Sequence, residues 1–350
     1  MDKTSRNSSI ELLRILAMVF IVISHSSVHG GLPDVASDIM FNNLLLDWCV
    51  LGNLGVDIFI IISGYFMCTN KNMSQTNRIV KLCTQVWFYS ILCLAIYAVL
   101  GYSINVKTII EALFPTIFSV YWFFTTYVVL ILLSPYLNIV LDKLTHKQFL
   151  TFMGLILLIW CVIPTFTRSS MGSNELCQFI MFYIIGAYFK KYKNPLTNKK
   201  IRYCLTGVSF LLLFSSSIVI RIVLGEQFAL LFYDRNSVLV VGCAVGLFSI
   251  ALYHREFYNK NINRIAGCVF GVYLFHDNPL IRSILWTEWL PKTEFYNSNL
   301  LILSITFSVV IIMSAGTLLE WLRQKTVDKY FLRAVHGIIQ KVCTKIHTDD

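Results

Sequence analysis

Ile10-Glu11-Leu-Leu-Arg14-Ile-Leu-Ala-Met-Val-Phe-Ile-Val-Ile-Ser-His25-Ser-Ser-Val28 is a run of apolar residues long enough to span a bilayer, interrupted by a fixed cation and an imidazole. A charged side chain near the middle of a membrane helix costs about 2.5–3.5 kcal/mol on insertion scales, so such residues line a cavity or pair with another group. Eleven residues at about 100° each bring Arg14 and His25 to one helix face, roughly 16 Å apart along the axis. One helix is thus expected to point a guanidinium and a titratable ring into a shared interior. The stretch carries Glu11 and Arg14 and lacks a small-x-small cleavage site, so it is read as a retained helix rather than a cleaved signal peptide.

The composition agrees with this reading. Charged residues make up 14% of the 350-residue chain, apolar residues 56%, and the mean hydropathy is +0.67. A soluble domain carries about 25% charged residues, so an all-α integral membrane protein is expected. The net charge of +10 does not point to nucleic acid, because the basic residues fall in short connections rather than on one face. The ten cysteines are scattered, mostly within apolar runs and with no Cys-x-x-Cys pair, which excludes a disulfide framework.

Spans of about 20 apolar residues fit ten times: approximately 10–29, 48–68, 82–101, 120–141, 147–165, 175–190, 203–224, 235–253, 264–282 and 298–320. Residues 108–118 read as an interfacial or re-entrant piece. Alternate connections hold 22 and 5 of the 29 basic residues, with Arg14 and Arg221 inside spans. That asymmetry predicts a bundle of about ten helices with both termini cytoplasmic. Residues 1–320 are read as the transmembrane domain. Residues 321–350 are read as a basic amphipathic tail, with Trp321 and Tyr330 near the interface. Arg221 is expected to snorkel to the headgroups.

This topology places His25, His276 and Asp57 at similar depth in the outer half. Two histidines could meet there, with Asp57 holding an imidazole in one tautomer. The plain alternatives are a helix-to-helix hydrogen bond for His276 and a cap for Asp57. Arg78 and Lys81 share a face at the start of the third span and suit an anionic phosphate ligand, or serve only as a positive-inside loop. No metal site is expected, on the reasoning that the histidines lack a paired Cys, Asp or second His at ligand spacing.

Several of these residues stand in motifs. Glu11-Leu-Leu-Arg14 with Arg-x10-His25 resembles the membrane acyltransferase 3 family of bacterial O-acyltransferases. So do Gly55-Val-Asp57-Ile-Phe-Ile-Ile-Ile-Ser63-Gly64-Tyr65, Arg78-x-x-Lys81, Tyr121-Trp122-Phe-Phe with Tyr127 and Ser134-Pro135, and Gly271-Val-Tyr273-Leu-Phe-His276. Each motif is degenerate, but five in order over residues 9–320 are specific. Lys81 departs from the family's second arginine and loses its bidentate fork. Many relatives also carry an extracytoplasmic esterase-like domain; without one, transfer would occur at the membrane domain or through a separate extracytoplasmic partner.

The resemblance implies an acyl-CoA donor, acetyl-CoA above all, and a carbohydrate or glycan hydroxyl as acceptor across the bacterial cytoplasmic membrane. Arg78, Lys81 and Ser63 would then bind the donor. Arg14 would hold its pantetheine or thioester end or stabilise charge on the thioester oxygen. His25 would act as general base or as nucleophile, with Asp57 and His276 completing the catalytic set. The alternative from another class is a transporter or flippase of a lipid-linked or polymeric glycan.

Overall fold

The computed structural model describes residues 6–31, 37–70, 75–291 and 293–348, with side chains as far as residue 327. Lys3, Lys71 and Lys292, counted in the charge asymmetry, lie outside the described residues, as does the side chain of Tyr330. The chain is all-helical, with 78% helix and no strand among the described residues.

The helices are α1 (Ser8–Val28), α2 (Met40–Cys49), α3 (Gly52–Met67), α4 (Thr76–Val99), α5 (Val106–Leu113), α6 (Trp122–Lys143), α7 (His146–Leu157) and α8 (Ile163–Thr167). There follow α9 (Glu175–Lys191), α10 (Lys199–Val223), α11 (Val238–Leu252), α12 (Lys260–Ala266), α13 (Val269–His276), α14 (Pro279–Ser283) and α15 (Leu301–Thr348). Among the described residues, seven helical stretches are long and apolar enough to cross a bilayer: 8–28, 40–67, 76–99, 122–143, 146–167, 199–223 and 301–327. Large apolar side chains such as Leu132, Leu211, Leu303 and Phe307 stand exposed on the outward faces of these helices, as expected of a surface solvated by lipid. The chain is therefore a multi-pass membrane protein.

The expected sixth and eighth spans are the shorter helices α9, of 17 residues, and α11, of 15. Helix α9 is nonetheless central, with Phe179, Phe182 and Tyr183 fully buried. The expected ninth span is not continuous. It breaks after α12 and again at Asp277-Asn278, where Asn278 is extended and caps α14 by accepting from the Leu280 amide at 3.0 Å. Pro279 fixes the break, because the residue before a proline is driven out of the helical region and Pro itself fits the first helical turn. The 108–118 piece is the eight-residue helix α5, capped by Asn105 and followed by a turn.

Close approach of backbones holds the centre together. A side chain at Gly55 would put its Cβ 2.4 Å from the Ala17 carbonyl oxygen of α1, and one at Gly64 would meet the Tyr183 carbonyl of α9 at 2.2 Å. Helix α3 thus packs against α1 on one side and α9 on the other, as small residues permit in membrane bundles. Asp47 and Arg221 tie α2 to α10 through a bidentate pair, with Nη2–Oδ1 at 2.9 Å and Nε–Oδ2 at 3.1 Å. The expectation that Arg221 snorkels is thereby corrected: its side chain is about one-tenth exposed, and pairing with Asp47 and Glu226 turns it inward.

Candidate active site

One face of α1 borders a cavity of about 990 Å³. Arg14, Met18, Ile21, His25 and His29 line it, spaced by three or four residues as a single helical face requires. The opposite walls come from α3 (Phe59, Ser63), α4 (Arg78, Lys81), α6 (Trp122, Tyr127) and the α12–α14 region (Arg264, Tyr273, Asp277, Arg282). Arg14 and His25 therefore face the same space rather than lipid.

At the α1 C-terminal end, His25 Nδ1 lies 3.0 Å from His276 Nε2. His276 is fully buried, and its Nδ1 lies 2.7 Å from the Val272 carbonyl oxygen. A carbonyl oxygen only accepts, so His276 Nδ1 carries a proton and donates it. With both rings neutral, His276 Nε2 is then an acceptor, and His25 Nδ1 must be the donor. The remaining ring nitrogen of His25, Nε2, holds a lone pair. The bond from backbone carbonyl through His276 to His25 fixes which nitrogen is the base.

Asp277 follows His276 directly. Its Oδ1 is 3.6 Å from His25 Nδ1, 3.7 Å from His29 Nε2 and 3.4 Å from Arg282 Nη1. The loop that presents it is braced from α6: the Tyr121 hydroxyl donates to the Leu274 carbonyl at 2.9 Å and accepts from Asn278 Nδ2 at 2.7 Å. The break at Pro279 and this brace together set where His276 and Asp277 stand.

Asp57 is placed elsewhere. It is fully buried, lines no part of the cavity, and neither carboxylate oxygen has a hydrogen-bond partner. Arg235 is the cation that interacts with it electrostatically, and the Arg235 guanidinium stands 4.6 Å from the centre of the cavity-lining Trp122 ring. The expected contact between Asp57 and an imidazole is therefore not formed. The carboxylate beside His25 is Asp277, because the helix break carries that residue inward.

The other end of the cavity is basic. Arg6, Arg14, Arg78, Lys81, Arg264 and Arg323 all border it. Arg323 is neutralised in place by Glu320, at 2.8 and 2.9 Å. Arg14 bonds one turn back to Glu11 at 3.0 and 3.2 Å, which turns its head away from His25. Arg78 and Lys81 are exposed within the mouth. Arg78 Nη2 donates to the Tyr127 hydroxyl at 2.6 Å, and that hydroxyl lies 3.0 Å from Ser63 Oγ. Ser63 donates its own proton to the Phe59 carbonyl at 2.8 Å. Its oxygen therefore accepts from Tyr127, and a directed chain runs from Arg78 through Tyr127 to Ser63.

The premise that no second histidine stands at ligand spacing is also corrected. His25 and His29 are four apart, and with Asp277 they place three metal-competent atoms within 4.8 Å of one another. The His-x3-His spacing is visible in the sequence; the convergence of Asp277 on it is not, because it depends on packing 250 residues away.

A family model described as an acyltransferase domain matches residues 7–319, taking in both ends of this cavity. No curated protein and no solved structure matches the chain.

Proposed function

The chain belongs to the acyltransferase 3 family, and from that premise we propose that it moves an acyl group, acetyl foremost, from acyl-CoA to the hydroxyl of a glycan on the far side of a bacterial cytoplasmic membrane. The observation that carries this reading is the Val272 carbonyl–His276–His25 relay inside a cavity whose opposite end is cationic. An acylation of this kind needs a base at the acceptor and cations at the phosphates of the donor.

His25 Nε2 takes the proton of the acceptor hydroxyl as its oxygen attacks the thioester carbonyl carbon. The new C–O bond forms, the C–S bond breaks, and the proton passes from His25 to the departing thiolate. General-base catalysis of this sort contributes about 10²- to 10⁴-fold. Arg78 and Lys81 bind CoA phosphates at the basic mouth, and Tyr127 and Ser63 hold the Arg78 head in place. Of the two roles expected for Arg14, holding the donor fits better than stabilising the thioester oxygen. The roughly 16 Å between Arg14 and His25 is too long for both to reach one carbonyl, and the Glu11 bond draws Arg14 further off. Asp57 acts at one remove, through Arg235 and Trp122.

The ten-helix count and both termini in the cytoplasm belong to the same proposal. It is supported by the 22-to-5 division of basic residues between alternate connections. The deciding experiment uses purified protein in sealed liposomes with acyl-labelled CoA and a glycan or oligosaccharide acceptor. Label should appear on the acceptor, or the thioester should at least be hydrolysed, and His25→Ala should abolish either reaction while the protein stays folded and inserted. Glycan movement with no dependence on CoA would overturn the reading in favour of a transporter.

A further inference from the structure

His29 and Asp277 have no part in the transfer chemistry above, yet they crowd one edge of its base. His25 stands in the last turn of α1 and His29 at its C-cap, with ring centroids 4.8 Å apart. Asp277 Oδ1 lies 3.6 Å from His25 Nδ1 and 3.7 Å from His29 Nε2, and the three ligand atoms fall within 4.8 Å of one another. A tetrahedral ion with bonds of about 2.1 Å holds its ligand atoms about 3.4 Å apart. Two of the three edges are already within a few tenths of an ångström of that spacing, and the third, no longer than 4.8 Å, must shorten by up to about 1.4 Å through turning of the partly exposed His25 and His29 rings. All three residues line the cavity, so an ion reaches them from solution. His276 Nε2, 3.0 Å from His25 Nδ1, is close enough to serve as a fourth ligand.

One group opposes a cation here. Arg282 Nη1 is 3.4 Å from Asp277 Oδ1, but its side chain is 38% exposed and has room to swing away. Two imidazoles from the end of α1 and a carboxylate from the end of α13, with His276 or water in the fourth position, suit a borderline first-row ion, Zn²⁺ foremost.

We propose that His25, His29 and Asp277 form a Zn²⁺-class binding site at which the metal switches transfer off. Coordination needs the lone pair of His25 Nδ1, so the ring proton moves from Nδ1 to Nε2 with no net gain or loss. The nitrogen that serves as base is then protonated, and His276 Nε2 loses the hydrogen bond it accepted from His25 Nδ1. Binding stands on the geometry alone; inhibition rests on the role of His25 given above.

The test uses the full chain purified without a polyhistidine tag, stripped with a chelator and titrated with Zn²⁺ against a fluorescent competitor. One equivalent should bind, at least tenfold more weakly in His29→Gln and in Asp277→Asn, and unchanged in His146→Gln, whose ring stacks on Tyr192 in another part of the bundle. Equal affinity in wild type and His29→Gln means an adventitious ion only and overturns the site. X-ray absorption of the Zn²⁺-loaded wild type decides the matter even where a variant misfolds: nitrogen and oxygen scatterers support the site, and a sulfur-dominated shell from the cysteines overturns it. Added Zn²⁺ should lower acyl transfer at least tenfold, reversibly with chelator, and less in His29→Gln relative to that variant's own metal-free rate. Binding with an undiminished rate overturns the inhibition. Absence of transfer in metal-free protein overturns the proposed function, while the titration still decides the site.

Discussion

Truncating His276 to alanine removes the acceptor that keeps the His25 proton on Nδ1. The expected result is a fall in kcat on the order of 10²-fold or more, with the KM for acyl-CoA unchanged. His276→Gln keeps an amide oxygen able to accept from His25 Nδ1 and should recover part of the loss, an outcome that mere packing damage would not produce. Arg14→Lys tests the cationic end: the charge survives but the planar fork is lost, so the KM for acyl-CoA should rise several-fold, and an unchanged KM would mean that only charge matters there. Arg78→Ala should likewise shift the acyl-CoA dose response, as should Tyr127→Phe to a smaller degree, since Tyr127 links Arg78 to Ser63. Arg14 and His25 were readable as a pair because helical periodicity is local, and both do border one cavity. Asp57 was misread for the complementary reason. Its expected depth along the membrane matched that of His25, but depth says nothing of which way a helix face turns, and Asp57 lies buried away from the cavity, with neither oxygen bonded.

Among the elements, α1 and α3 are fixed to each other by Gly55, and this contact sets the cavity wall. Gly55→Val would force its Cβ into the Ala17 carbonyl. Overpacking of this kind costs about 1–3 kcal/mol, so the melting temperature in detergent should fall and activity with it; an unchanged melting temperature would mean that the two helices separate easily. Tyr121→Phe deletes the hydroxyl that braces Leu274 and Asn278. It should lower kcat through misplacement of His276 while leaving the KM for acyl-CoA alone. The seven long spans among the described residues were legible as apolar runs, but the break in the expected ninth was not, since a hydropathy window averages across Asp277-Asn278-Pro279. The local signal was present all the same: Asn before Pro predicts an extended residue and a new helix start. Reading it would have placed Asp277 at a helix end beside His276 and drawn attention to it.

At the scale of the molecule, a cytoplasmic donor and an external acceptor require the two ends of the cavity to open on opposite sides of the membrane. The basic mouth and the relay lie at opposite ends of α1, so the direction of α1 sets the direction of transfer. Under the proposed orientation, the connection at residues 191–199 is expected inside and the one at residues 168–174 outside. Both lie on described, partly exposed turns. In a background with Cys177, Cys204 and Cys343 replaced by serine, which removes the one exposed thiol among the described residues, the partly exposed Cys177 beside the outer connection and the tail cysteine, Ser170→Cys in right-side-out vesicles should react with a membrane-impermeant maleimide. Asn198→Cys should react only after permeabilisation. The same vesicles should transfer acyl groups to an external acceptor only when acyl-CoA is supplied within. Labelling of Asn198→Cys from outside would reverse the topology and put the basic mouth on the wrong side for a cytoplasmic donor. Correct labelling with transfer from external acyl-CoA would leave the topology intact but remove the need for a passage through the protein, since donor and acceptor would then meet on one face.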